Sequence, residues 1–352
     1  MTSLPPNLPP ENQAVPAYAS AYGICLTVEH ALTNLLADTT KNEEEIRLHL
    51  VYVRILGYLL HFMPTRAGLD NLAGEIQRSS TSANDLVKLG KTYYDCFLRA
   101  YRSNDDGTPD VSEEMFSSPS EFETTADMMN DPLDLDTELH AIAKKKALTR
   151  DKFRCVLSGS YDIGALENNE ELCDEYVAQN PRPPNTFTEC AHILWGPISP
   201  NLEDNDYGAD VWEFVDCFGC SDIRDELTGA NIHRLENVMT LEPQLYICFT
   251  RLKLWLVATG EPNQYRTIFS LRFQPLNNQL VTFKTDDPVN LPVPSPAYLA
   301  IHAACAQVVH FSGADKYIEK YYEDMEELQE GMEVLSPDGS SASLLDDALR
   351  GV

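Results

Sequence analysis

Basic residues are scarce in this chain. Its 352 residues carry 26 Lys and Arg against 55 Asp and Glu, a formal net charge of −29. Phosphate backbones are met by Lys and Arg, so the balance argues against a general nucleic-acid binder. Long apolar runs are missing too: nothing reaches the roughly eighteen uncharged residues that a spanning helix needs, and no membrane partner is expected. The chain opens without a basic stretch followed by an apolar one, so no secretory leader is expected. The nine cysteines are odd in number and scattered. That is unlike a disulfide scaffold and points to a reducing, intracellular setting, cytoplasmic or nuclear. Phosphate loops of the GxxxxGK[ST] or GxGxxG type, the HExxH zinc motif and the GxSxG elbow are all absent. One CxxC occurs, Cys217 to Cys220, with no second pair to complete a four-ligand zinc site, so both cysteines read as small buried hydrophobes.

What is present is unevenly spread. Residues 103–138 hold twelve acids and no Lys or Arg, and residues 321–352 hold nine acids and one Arg. Both read as solvated, disordered segments: an acidic loop at 103–138 and an acidic tail at 316–352. They could also occupy a basic groove of the same chain and keep polyanions out. The Pro-rich start, residues 1–16, reads as extended and disordered. Apolar residues make up 43% of the chain, enough for a sizeable core.

From residue 17 to 102 the pattern is helical. Ile46, Leu50, Val53, Leu56 and Leu60 recur at three- and four-residue spacing between Glu43 and Met63, and Pro64 ends the run. Two further helices are predicted over 68–77 and 85–101. Residues 252–257 and 265–273 alternate in the manner of strands around a turn with Gly260 and Pro262, and 280–285 offers a third strand. A helix is predicted from Ser295, with Pro296 in its first turn, to Gly313. His30, His49, His61, His302 and His310 fall on these helices and read as structural. The most basic stretch is 144–154, with Lys144, Lys145, Lys146, Arg150, Lys152 and Arg154 against Asp151 alone. It is either a phosphate-holding face, in which case Lys144, Lys145, Lys146 and Arg150 would contact nucleic acid, or a solvated one.

Four blocks follow in order: Cys155-Val-Leu-Ser-Gly159, Thr188-Glu-Cys-Ala-His-Ile-Leu194, Asn231-Ile-His-Arg-Leu-Glu-Asn-Val-Met-Thr-Leu241 and Leu245-Tyr-Ile-Cys-Phe-Thr-Arg-Leu-Lys-Leu-Trp255. With the closing Pro294-Ser-Pro-Ala-Tyr-Leu-Ala-Ile-His-Ala-Ala-Cys-Ala-Gln-Val-Val-His310 segment, they resemble the HNH endonuclease family in a form abundant in fungi. The resemblance covers about residues 140–315. It implies an α+β fold in which an HNH-like ββα-metal core, spanning 139–315 with an added β-hairpin and C-terminal helix, follows the helical region. It further implies a divalent metal (Mg, Mn or Zn), His192 as general base on the attacking water, Asn237 as the central Asn, and nucleic acid as substrate. The chain departs from that pattern where the metal is held. The closing His reads Tyr246, the following acid reads Thr250, and the residue before the first His is Ala191. Metal would then rest on Glu189 and His192, weakly. Three outcomes are open: a metal-dependent phosphodiesterase, a pseudo-nuclease that binds without cutting, or a site recast from His192, Tyr246 and Asn237 for acid–base work on a small molecule.

Overall fold

A computed structural model describes residues 2–36, 42–102, 132–194, 218–271 and 274–329. In chain order the helices and strands are α1 (Pro10–Gln13), α2 (Pro16–Leu35), α3 (Glu43–Phe62), α4 (Arg66–Arg78), α5 (Ala83–Arg102), α6 (Pro132–Arg150), β1 (Tyr161–Asp162), α7 (Ile163–Asn168), α8 (Glu170–Ala178), β2 (Asn185–Thr186), β3 (Glu189–His192), α9 (Ser221–Leu227), β4 (Val238–Leu241), α10 (Pro243–Thr250), β5 (Leu254–Ala258), β6 (Gln264–Phe269), β7 (Leu280–Thr282), α11 (Pro296–Ser312) and α12 (Ala314–Gln329). Among the described residues the architecture is α+β: mostly helix, with three small sheets.

α3 is the hub of the helical layer. Every residue from Leu50 to Leu60 is buried, so it is apolar all round and must be covered on all sides. α2, α4, α5 and α11 supply the cover. Its start is fixed by Asn42, whose side chain accepts from the amides of Glu44 and Glu45, with three Glu in the first turn where the helix dipole favours them. Arg54 is the charge inside this layer. Its Nε donates to Glu29 of α2 at 2.6 Å, both side chains under a tenth exposed.

The Pro-rich start departs from the disorder expected of it. The Leu4 amide donates to Glu29, Tyr58 and Tyr22 donate hydroxyl hydrogens to the carbonyls of Ser3 and Pro5, and Leu4 and Leu8 are buried. Two leucines in an aperiodic segment give no sequence signal, yet both are buried in the main core, Leu4 beside Gly57 of α3. The tail is likewise corrected over its first part. α12 continues to Gln329 because Ala314 and Ile318, four apart, are buried against the core and Glu319 bridges to Lys253. Of the acidic loop, residues 132–138 form the start of α6, and 103–131 lie outside the described residues, as do 330–352 and Cys217.

One hydrophobic core runs from Leu4 to Ile318 and joins the helical layer to the rest through α11, which touches both α3 and β5. The predicted hairpin with its third strand is the antiparallel sheet β5–β6–β7. Gly90 lets α5 approach α3 closely: a Cβ there would meet the Tyr52 carbonyl. Alanine normally stabilises a helix over glycine by about 0.5–1 kcal/mol. Here we expect the reverse sign. Gly90→Ala should destabilise by about 1–3 kcal/mol, because backbone rather than a flexible side chain has to move. A urea unfolding midpoint at or above wild type would refute this.

Candidate functional site

β3 and β4 pair antiparallel, Glu189 opposite Leu241 and His192 opposite Val238, and α10 follows directly. Alternation along the pair sorts its side chains. Ala191, Ile193, Met239 and Leu241 join the main core, while Cys190 and Val238 join Ala147 of α6 in a second, small cluster with Leu235. His192 turns with Cys190 and Val238 toward α6.

Three imidazoles meet there. His192 at the end of β3, His140 of α6 and His233 of the 3-10 turn Gly229–His233 have ring centroids 5.1–5.7 Å apart. His192 Nε2 and His233 Nδ1 are 3.0 Å apart, so one carries the hydrogen and the other accepts it. Burial pushes His192 down to about 3, with His233 and His140 adding to the effect. It is therefore neutral at ordinary pH.

Asn237 is fully buried and spends its amide on the backbone. Its Oδ1 accepts from the Leu194 amide at 2.9 Å, and its Nδ2 donates to the carbonyls of Leu194 at 2.7 Å and Ile232 at 3.0 Å. It ties the chain leaving β3 to the chain entering β4. Glu189 is half-buried, and Lys144 Nζ donates to it at 3.4 Å. Tyr246 of α10 is half-buried and packs against the main core. The Thr250 hydroxyl donates back to the Tyr246 carbonyl at 3.0 Å.

The structure thus brings His192 to a hairpin followed by a helix, and braces that hairpin through Asn237. His140 and His233 stand beside His192. Among the described residues, no group of three or more His, Cys, Asp or Glu is arranged to hold a metal ion. Glu189 engages Lys144, and His192 engages His233.

The basic stretch is corrected at Arg150. Its side chain is entirely enclosed. Nε and Nη2 donate to the Asp151 carboxylate at 2.7 and 3.0 Å, Nη1 to the carbonyls of Leu235 and Pro292 at 2.7 and 3.1 Å, and Nη2 to that of Val238 at 2.9 Å. Asp151 in turn accepts from the Thr240 amide at 3.0 Å. No phosphate reaches this guanidinium. Lys152 pairs with Asp286, and Arg154 lies over the Tyr161 ring.

His140 was not singled out by the sequence. Its only trace is spacing: His140, Lys144, Ala147 and Arg150 fall three or four apart, one face of α6, and all meet β3, β4 or the turns before β4. No described helix is long and apolar enough to cross a membrane. No protein-family model, no curated protein and no solved structure matches the chain.

Proposed function

We propose that this chain is an HNH-like ββα protein that has ceased to cut: a pseudo-nuclease whose finger organises a module that works by binding. One observation carries the reading. The groups that the resemblance would turn toward a metal are engaged within the protein, Glu189 with Lys144 and His192 with His233. The position of the closing ligand holds a tyrosine, Tyr246, in place of a histidine nitrogen. The excess of acid over base and the enclosure of Arg150 speak against nucleic acid as the bound partner.

The contact between His192 and His233 favours a second reading, acid–base chemistry. Two imidazoles 3.0 Å apart form a relay, and a base that pairs with another imidazole can pass a proton without a metal.

Plasmid DNA and single-stranded RNA incubated with Mg²⁺, Mn²⁺ or Zn²⁺ test both. We expect no cleavage above that of His192→Ala. The double change Tyr246→His with Thr250→Asp should gain neither metal affinity nor cutting, because Glu189 and His192 stay engaged with Lys144 and His233. Strong metal-dependent cleavage by the unaltered protein, lost in His192→Ala, would overturn the proposal. Metal-independent cleavage lost in both His192→Ala and His233→Ala would establish the second reading instead.

A further inference from the structure

A cavity of about 220 Å³ opens away from the histidines, between the turn that follows α10, the end of β6, and the junction of α11 with α12. Two cations line it from the turn, Arg251 and Lys253. Two anions line it from α12, Asp315 and Glu319, four residues apart and so on one face of the helix. Its apolar wall is Leu252, Val309 and Ile318, all buried.

The turn is unusual in its backbone. Leu252 takes φ +52 at the place where a helix commonly ends on glycine. The Lys253 amide closes the turn onto the Cys248 carbonyl at 2.7 Å and the Leu252 amide onto Phe249 at 3.1 Å. A bulky residue in this region is strained, and such strain gathers at binding sites. Leucine here gives the cavity an apolar wall that glycine would not, while the residues on either side of it bring both cations to the cavity.

We propose that this cavity binds a small zwitterion, a free α-amino acid with an apolar side chain. The carboxylate goes to Arg251 and Lys253, the ammonium to Asp315 and Glu319, and the side chain lies against Leu252, Val309 and Ile318. The chemistry excludes the neighbouring classes. A phosphate or dicarboxylate would meet Asp315 and Glu319; a polyamine would meet Arg251 and Lys253. The volume falls below the roughly 300–1,000 Å³ of sites for larger ligands. The Lys253–Glu319 bridge, 2.6 Å across the cavity, is the contact that a ligand of both charges replaces on each side. The His310 Nδ1 lies 4.0 Å from the Asp315 carboxylate. No residue is shared with the His192 cluster, so the proposal stands or falls apart from the loss of cutting.

Calorimetric titration of the full chain with the common amino acids tests it, with N-acetyl-leucine and leucine methyl ester as probes that each lack one charge. We expect leucine or a close apolar relative to bind, and each blocked form to bind at least about tenfold more weakly, the loss of one charged contact. Arg251→Ala, an exposed position, and the near-isosteric Asp315→Asn should each weaken binding by a similar factor, and His192→Ala should bind as wild type. Absence of binding by every amino acid at millimolar concentration would overturn the proposal, and so would equal binding of the acetylated or esterified form.

Discussion

Arg150→Met should destabilise the chain by about 3–5 kcal/mol, the range for removing one partner of a buried ion pair. Chemical unfolding reads it directly. The loss has two parts. Asp151, 4% exposed, keeps its charge without its bidentate partner, and the carbonyls of Leu235, Val238 and Pro292 lose a donor inside the protein. Lysine keeps the charge but not the planar fork, so Arg150→Lys should recover only part. Pairing the change with Asp151→Asn should leave the protein more stable than Arg150→Met alone, since the orphaned charge goes. A shift within about 0.5 kcal/mol for the single change, typical of a surface site, would show that Arg150 is not held as described.

Acid should unfold the protein through its buried histidines. His302 of α11 is 1% exposed, stacked on Phe249 at 3.8 Å between ring centroids, and its Nε2 donates to the Phe249 carbonyl at 3.1 Å. Burial pushes it down to about 3. The folded value lies below the unfolded one, near 6.5, so the unfolded chain takes up protons first as pH falls. The stability held at pH 7 is lost from about pH 6.5 downward, until the folded value is reached. Between pH 7 and pH 4.5 the loss comes to about 2–3 kcal/mol for this one group. His192 titrates in the same direction. His302→Gln preserves a donor for the Phe249 carbonyl and removes the titration. We therefore expect its melting temperature to change less between pH 7 and 4.5 than that of wild type. Parallel pH curves for the two proteins would refute the assignment. Carboxylates titrate in both proteins, so the difference isolates His302.

Apolar periodicity accounts for most of what the sequence made legible. Leu50 to Leu60 read as a helix and form the central one; the alternation over 252–273 read as a hairpin and is β5–β6; Pro296 and Gly313 bracket α11, Gly313 in the left-handed region at φ +83. The failures share a cause. Leu4 and Leu8 are buried one at a time, without a period. Arg150 carries the composition of a solvated basic run but is enclosed by carbonyls that arrive from residues 235, 238 and 292. His140 and His233 meet His192 only once three separate elements have packed. Local pattern reports which face is greasy; it does not report which polar groups a distant strand or turn will present to it.

α6 meets β3 and β4 largely through polar atoms: His140, Lys144 and Arg150, with Ala147 the small contact among them. An apolar ridge accepts many residues of similar volume, so substitutions there drift independently. A face held by directed hydrogen bonds has few single-step alternatives, because each donor answers to a particular acceptor. Among divergent copies of this chain, Arg150 and Asp151 should therefore change together or not at all. The leucines of α3 should exchange freely with isoleucine and methionine. The slowest-evolving surface of the molecule would then be a helix whose sequence looks like the least remarkable part of it.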